Sequence, residues 1–250
     1  MTKNKIGKYL ITAISLAAVV GILFINPIKQ DLSYHGFIDR NKIFGIPNFW
    51  NVVSNLPFLV VGLMGLTKLN RLQIIPEMGV AYWLLFFGVA MVAFGSGYYH
   101  LDPNNHTLVW DRLPMTIAFM SLFAIIISEF IDVRKGAVLL FPLLIIGVSS
   151  VFYWQWVDDL RFYALVQFLP ILLIPLILII YPSKFTKISG YWLLLMAYVL
   201  AKVLEYFDAQ IFDLLGGTIS GHSIKHVAAA VGMYILLKSY KNRLQSLQSC

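Results

Sequence analysis

Apolar positions along this chain neither alternate nor recur at helical spacing over long distances. They gather instead into several stretches of roughly 17 to 21 residues, parted by short polar connections. A helix of that length rises about 1.5 Å per residue and crosses roughly 30 Å of hydrocarbon. The pattern predicts spans near Gly7–Ile25, Val52–Leu66, Gly79–Tyr99, Leu113–Ile131, Gly136–Phe152, Phe162–Ile180, Ile188–Tyr206 and His222–Leu237. The first, which follows Lys3, Lys5 and Lys8, also has the outline of a signal peptide, with Ala17-Ala18 as a weak processing signal. It is long for such a segment, and the charge pattern favours its retention. Pro114, Pro170 and Pro175 fall inside predicted spans, where bundle neighbours satisfy the carbonyls a proline frees; Pro170 and Pro175 are expected to kink the sixth. The expected fold is all-α, a polytopic transmembrane bundle. Residues 1–47 supply one N-terminal span and an external connection; residues 48–250 supply the helical core and a short tail. The connection Asn26–Asn51, with Pro27, Gly45 and Pro47, is expected to lie over one face as a cap.

Composition agrees with the pattern: 59% of the residues are hydrophobic and 12% charged, which excludes a secreted, fibrous or disordered protein. The excess of 19 Lys and Arg over 12 Asp and Glu does not form a nucleic-acid patch, because it is sorted by side. Lys3, Lys5, Lys8, Lys68, Arg71, Arg134, Lys135, Lys184, Lys187, Lys238, Lys241 and Arg243 fall on one side. Lys29, Arg40, Lys42, Arg112 and Arg161 fall on the other, together with Asp31, Asp39, Asp102, Asp111, Asp158, Asp159, Asp208 and Asp213. The tendency of basic loops to stay in the cytoplasm places both termini there, which suits an even number of spans. Short loops and this simple sorting suggest a bacterial inner membrane. The single cysteine, Cys250, excludes an internal disulfide framework and a cysteine-based zinc site.

Polar residues inside such spans are costly, and they collect at one end of the bundle. Ser96 and His100 share a helix face at the outer end of the third span, Asp111 precedes the fourth, and His222 and His226 lie one turn apart at the start of the eighth. Three imidazoles make a nitrogen platform for Zn²⁺ with a fourth position left for water. His100, His222 and His226 are therefore the candidate metal ligands. Asp111 is the candidate proton acceptor, and Ser96 the candidate to hold the attacking water or a developing oxyanion. The plainer readings are an interhelical histidine bond, a small Ser96 between glycines that permits close packing, and an Asp111–Arg112 interface ion pair. Ser54, Asn55, Glu205 and Asp208 lie at the same end, with Lys202 and Lys225 as partners for the acids. His35 and His106 fall in external loops and are not first choices as ligands.

In order along the chain, Asn51-Val52-Val53-Ser54-Asn55, Ser96 with His100, Asp111 before Pro114-Met115, and His222 with His226 resemble the pattern of the alkaline ceramidase family. That family sits with the adiponectin and progestin receptors in a wider group of seven-span membrane proteins. The likeness covers roughly residues 48–240. It implies a seven-helix core behind the extra first span, and a zinc-dependent amidase that splits the N-acyl bond of ceramide into a fatty acid and a sphingoid base. It also implies His100, His222 and His226 as ligands, with Ser96 and Asp111 around the attacking water. Arg112 stands where the family places Glu, and Lys225 where it places Trp, so charge near the headgroup differs. Family members also carry an N-terminal calcium site. Asp31, Asp39, Asn41 and Asn48 offer oxygen donors for calcium, although their spacing does not match and loop solubility explains such a composition more often.

The expected function is hydrolysis of ceramide or another N-acylated membrane lipid at the outer face, with no nucleic-acid or protein partner. The alternative is a metal-containing lipid-binding receptor or a structural membrane protein without turnover. A transporter fits less well, since no inverted repeat is visible and the polar cluster lies near one face.

Overall fold

The structure is a computed structural model that describes residues 3–245; Cys250 lies outside them. Ten α-helices follow in order: α1 (Lys3–Leu23), α2 (Phe49–Val53), α3 (Leu56–Thr67), α4 (Gly79–Leu101), α5 (Asn105–Ile126), α6 (Val133–Val157), α7 (Arg161–Ile180), α8 (Ser189–Tyr206), α9 (Asp208–Leu214) and α10 (Gly221–Asn242). A π-helical turn, Ile127–Ile131, extends α5. Only two isolated β-bridges, Ile43 with Ile46 and Phe185 with Gln245, break the helical pattern among the described residues. The protein is thus an all-α, multi-pass membrane bundle. Six helical segments are long and apolar enough to cross a bilayer, and a seventh appears if α8 and α9, bent by 75°, count as one span.

Each predicted span has a helical counterpart with ends shifted by up to eight residues, and local contacts explain the main departures. α5 starts at Asn105, well before the apolar run, because Asn104 caps it: the Asn104 side chain accepts from the Thr107 amide at 3.0 Å while Thr107 Oγ1 accepts from the Asn104 amide at 3.2 Å. Asp111 therefore lies within α5 rather than ahead of it. The second span is interrupted at Ser54-Asn55, between α2 and α3, and the seventh turns sharply after Tyr206. α7 runs unbroken through Pro170 and Pro175.

The tightest contacts lie between α4 and α5, and between α8 and α10. Gly95 makes the first possible: a Cβ there would run into the main-chain carbonyl of Trp110. Gly221 does the same for the second, facing the Leu204 carbonyl of α8. α7 packs on α1, α5 and α6, while α8 packs on α10, so consecutive helices α7 and α8 scarcely touch. The seam between them flanks an internal cavity.

The bundle has two distinct ends. At one, the basic connections meet: the Lys184 amide donates to the Glu129 carbonyl at 3.2 Å, and the Gln73 amide to the Tyr240 carbonyl at 2.8 Å. Arg243 folds back there onto Glu129, at 2.6 and 2.9 Å, between the rings of Phe185 and Tyr240. Tyr82 and Tyr191 also donate to that carboxylate, so each of its oxygens is bonded although it is fully buried. At the other end the 26–48 connection folds over the helix ends as a cap. The Ile28 carbonyl accepts from the Leu160 amide at 2.7 Å, and Arg161 Nη1 reaches the Ile25 carbonyl at 2.5 Å.

Candidate metal centre

The three histidines predicted from sequence come together at the capped end. His100 is in the last turn of α4, and His222 and His226 are in the first two turns of α10. Their ring centroids stand 4.9, 5.2 and 4.9 Å apart, all three are buried, and one ligand nitrogen from each lies within 4.8 Å of the others. His222 Nε2 is 3.3 Å from His100 Nε2. Two imidazole nitrogens on one tetrahedral zinc stand about 3.3 Å apart, given Zn–N bonds of about 2.0 to 2.1 Å. A shared proton would satisfy only one pair of these nitrogens, whereas a cation engages all three. The donor set therefore fits a metal ion of the zinc type.

Local sequence explains the placement. Ser220 caps α10 by accepting from the Ser223 amide at 3.3 Å, and Asp208 accepts from the His222 amide at 2.6 Å, so two acceptors fix the first turn of that helix. Asn48 Nδ2 donates to the His100 carbonyl at 2.8 Å, and Asn51 Oδ1 accepts from Ser223 Oγ at 2.7 Å, tying α2 to both histidine helices. Ser54 Oγ lies 2.8 Å from His226 Nδ1, which leaves Nε2 of that ring for a ligand. His100 Nδ1 is buried without a partner among the described residues. Phe37, from the cap, covers His100 and His222 at 4.7 and 4.5 Å between centroids.

Ser96 and Asp111 face the same space. Both line a cavity of about 400 Å³ that also takes in the three histidines, and Ser96 neighbours the Asp111 carboxylate. Gly95 brings them together by letting α5 approach α4. The cavity extends along α4 as far as Leu85, about 22 Å from His100 at the helical rise, between apolar residues such as Val89, Leu122 and Met233. It is polar at the histidine end and apolar below.

Other sequence expectations resolve differently. Arg112 does not pair with Asp111: its guanidinium is sandwiched by Trp154 at 4.0 Å and Tyr163 at 4.6 Å and donates to Gln30 Oε1 at 2.8 Å. Glu205 pairs with Lys225 and, at 2.7 Å, with Lys202. His35 bonds Tyr99 at 2.9 Å and Asn105 at 2.8 Å, and His106 meets Gln155 at 3.1 Å, so neither joins the metal cluster. The aspartates considered for calcium form no metal-binding group among the described residues. Asp31 caps a short turn through the Ser33 amide at 2.8 Å, Asn41 reaches the Gly217 carbonyl at 3.1 Å, and Asn48 holds His100. Asp39 is buried, which pushes its carboxyl above the usual range; the Asn41 amide offsets this in part, and the charge of Asp208 adds to it.

Phe37 and Tyr34 were not legible as site residues, because nothing in the spacing of an irregular connection says which side chains turn inward. Desolvation, with the charges of Glu205 and Asp111, pushes the Tyr34 hydroxyl up to about 12, against the pull of Arg112 and Lys202. It remains a neutral donor at the cavity rim. Among known proteins, the family model described as Ceramidase matches residues 44–242 of the chain. No curated protein matches it.

Proposed function

The chain belongs to the ceramidase family, and on that premise we propose that His100, His222 and His226 hold a zinc ion and that Ser96 and Asp111 serve amide hydrolysis beside it. It is a membrane hydrolase acting on the amide bond of ceramide or a related N-acylated lipid. The observation that carries this reading is the buried three-histidine cluster opening onto a cavity with an apolar floor. Zinc at three neutral imidazoles supplies a Lewis acid for the amide carbonyl and makes water acidic enough to give up a proton near neutral pH.

The rest is work for the chain's own side chains. Asp111 takes the proton released as water adds to the carbonyl carbon, and returns it to the amine nitrogen as the C–N bond breaks. The products are a carboxylic acid and an amine, which leave as a carboxylate and an ammonium once the acid's own proton passes to the amine, and Asp111 ends unprotonated as it began. Ser96 orients the water and the carboxylate together, and its hydroxyl steadies a developing oxyanion. Ser54 fixes the His226 ring. The apolar floor takes the acyl chain, Phe37 and the cap limit bulk water, and the seam between α7 and α8 is the route from the bilayer.

Residues 48–250 form the seven-helix catalytic core under this reading, with α10 as a crossing helix despite its histidines and lysines, and residues 1–47 add one span and the cap. Eight crossings then leave both termini in the cytoplasm of a bacterial cell and the site at the outer face. A C-terminal reporter active only outside the cytoplasm would refute that orientation. For the centre itself, metal analysis of the detergent-purified chain should give about one zinc per chain, lost in a His222→Ala, His226→Ala double variant together with release of fatty acid from ceramide. A folded, metal-free wild type would return these residues to packing and remove the mechanism.

A further inference from the structure

Arg112 is a buried cation with an unused donor. Its side chain lines the same cavity as the histidines, the residue is only 7% exposed, and Nη1 has no partner among the described residues. Burying a charge with no counter-ion is expensive, and a planar guanidinium is completed best by an oxyanion that can accept in plane. The flat faces are already occupied by Trp154 and Tyr163, and Nη2 is held by Gln30, so the free edge is fixed in direction. The preceding residue supplies no counter-charge, since Asp111 lies against Ser96 and makes no ion pair with Arg112 among the described residues.

The wider charge balance points the same way. The polar end of the cavity carries Arg112, Lys202 and Lys225 against Asp111 and Glu205, and both lysines share the one Glu205 carboxylate. Three cations face two carboxylates before any metal is counted. The apolar floor is suited to an acyl chain, so the polar end faces the amine half of an N-acylated lipid.

We propose that Arg112 is a specificity-determining residue that receives an anionic group, a carboxylate or comparable oxyanion, carried on the amine half of the substrate. The preferred substrate is then an acidic N-acyl lipid rather than a neutral ceramide. This deepens the amide-hydrolase reading and rests on it for the word substrate, but the recognition itself is a binding property.

The test uses the metal-loaded full chain in detergent with two ligands that share an acyl group, N-oleoylglycine and N-oleoylethanolamine. Stopped-flow tryptophan fluorescence reads binding before turnover, and fatty acid release reads hydrolysis. Wild type should bind the anionic ligand about ten- to a hundredfold more tightly, the range expected for a charge-assisted bond. Arg112→Gln should bring the ratio of affinities towards one, and Arg112→Lys should keep part of it by retaining charge without the fork. Equal binding of the two ligands by wild type overturns the proposal even if the variants do not fold. So does a ratio that survives Arg112→Gln, or Arg112-dependent binding of oleate with none for N-oleoylglycine, which would assign the guanidinium to the acyl product. A binding preference with no cleavage of either ligand leaves the proposal standing and removes the hydrolase reading. Cleavage of both ligands with equal affinity does the reverse.

Discussion

At the scale of single residues, the site separates groups that would touch the reaction from groups that orient them. Asp111→Asn keeps shape and removes the base, so kcat should fall by about 10² to 10⁴ with metal content and melting temperature retained. A packing role for Asp111 would instead lower the melting temperature and spare kcat. Ser54→Ala frees His226 Nδ1 from its 2.8 Å partner and should weaken zinc by about 10- to 100-fold, read by competition with a chelator. Ser96, His100, Asp111, His222 and His226 were legible in the sequence because polar groups stand out against apolar spans. Their gathering at one end of the bundle was legible too, from the order of the spans, but the closeness of the helices was not, because it depends on Gly95 and Gly221, whose role is the absence of a side chain opposite a particular carbonyl. Arg112 was visible as an oddity beside Asp111, but its turn away towards Trp154 is a matter of packing between helices.

At the scale of elements, the same close approach sets a measurable limit. Gly95→Val would drive a branched side chain into the Trp110 carbonyl, part α5 from α4, and cost about 1 to 3 kcal/mol by overpacking. Thermal unfolding in detergent should show the loss, and activity should fall with it because Ser96 and Asp111 separate. The predicted spans matched helices most closely where hydropathy alone decides the matter, as in α4 and α7, while α6 outruns its predicted span by three residues at the start and five at the end. They missed where polar contacts decide. The start of α5 is set by the Asn104 cap, and beside the break between α2 and α3 Asn55 Nδ2 bonds the Asn51 carbonyl at 2.8 Å. The 75° bend after α8 places Asp208 under the first turn of α10, a long-range contact without a trace in local pattern.

At the scale of the whole molecule, two polar anchors hold opposite ends of an apolar bundle. At the capped end, Asp159 is held by Arg161, which lowers its carboxyl pKa against the opposing effect of burial, with help from the Arg161 and Ile28 amides. A depressed folded pKa contributes stability above the ordinary value of 3.8 and loses it as pH falls through the folded value. Asp159→Asn should therefore lower the melting temperature at pH 7, and the difference from wild type should close in acid below that range. At the basic end, Arg243→Ala would strand Glu129 without its counter-ion and cost about 3 to 5 kcal/mol, again read by unfolding. That pairing also has a consequence in time. Glu129 leaves the ribosome 114 residues before Arg243, and the intervening helices must be inserted first. Glu129 is made before its partner exists, so this end of the bundle can lock only after translation has passed Arg243.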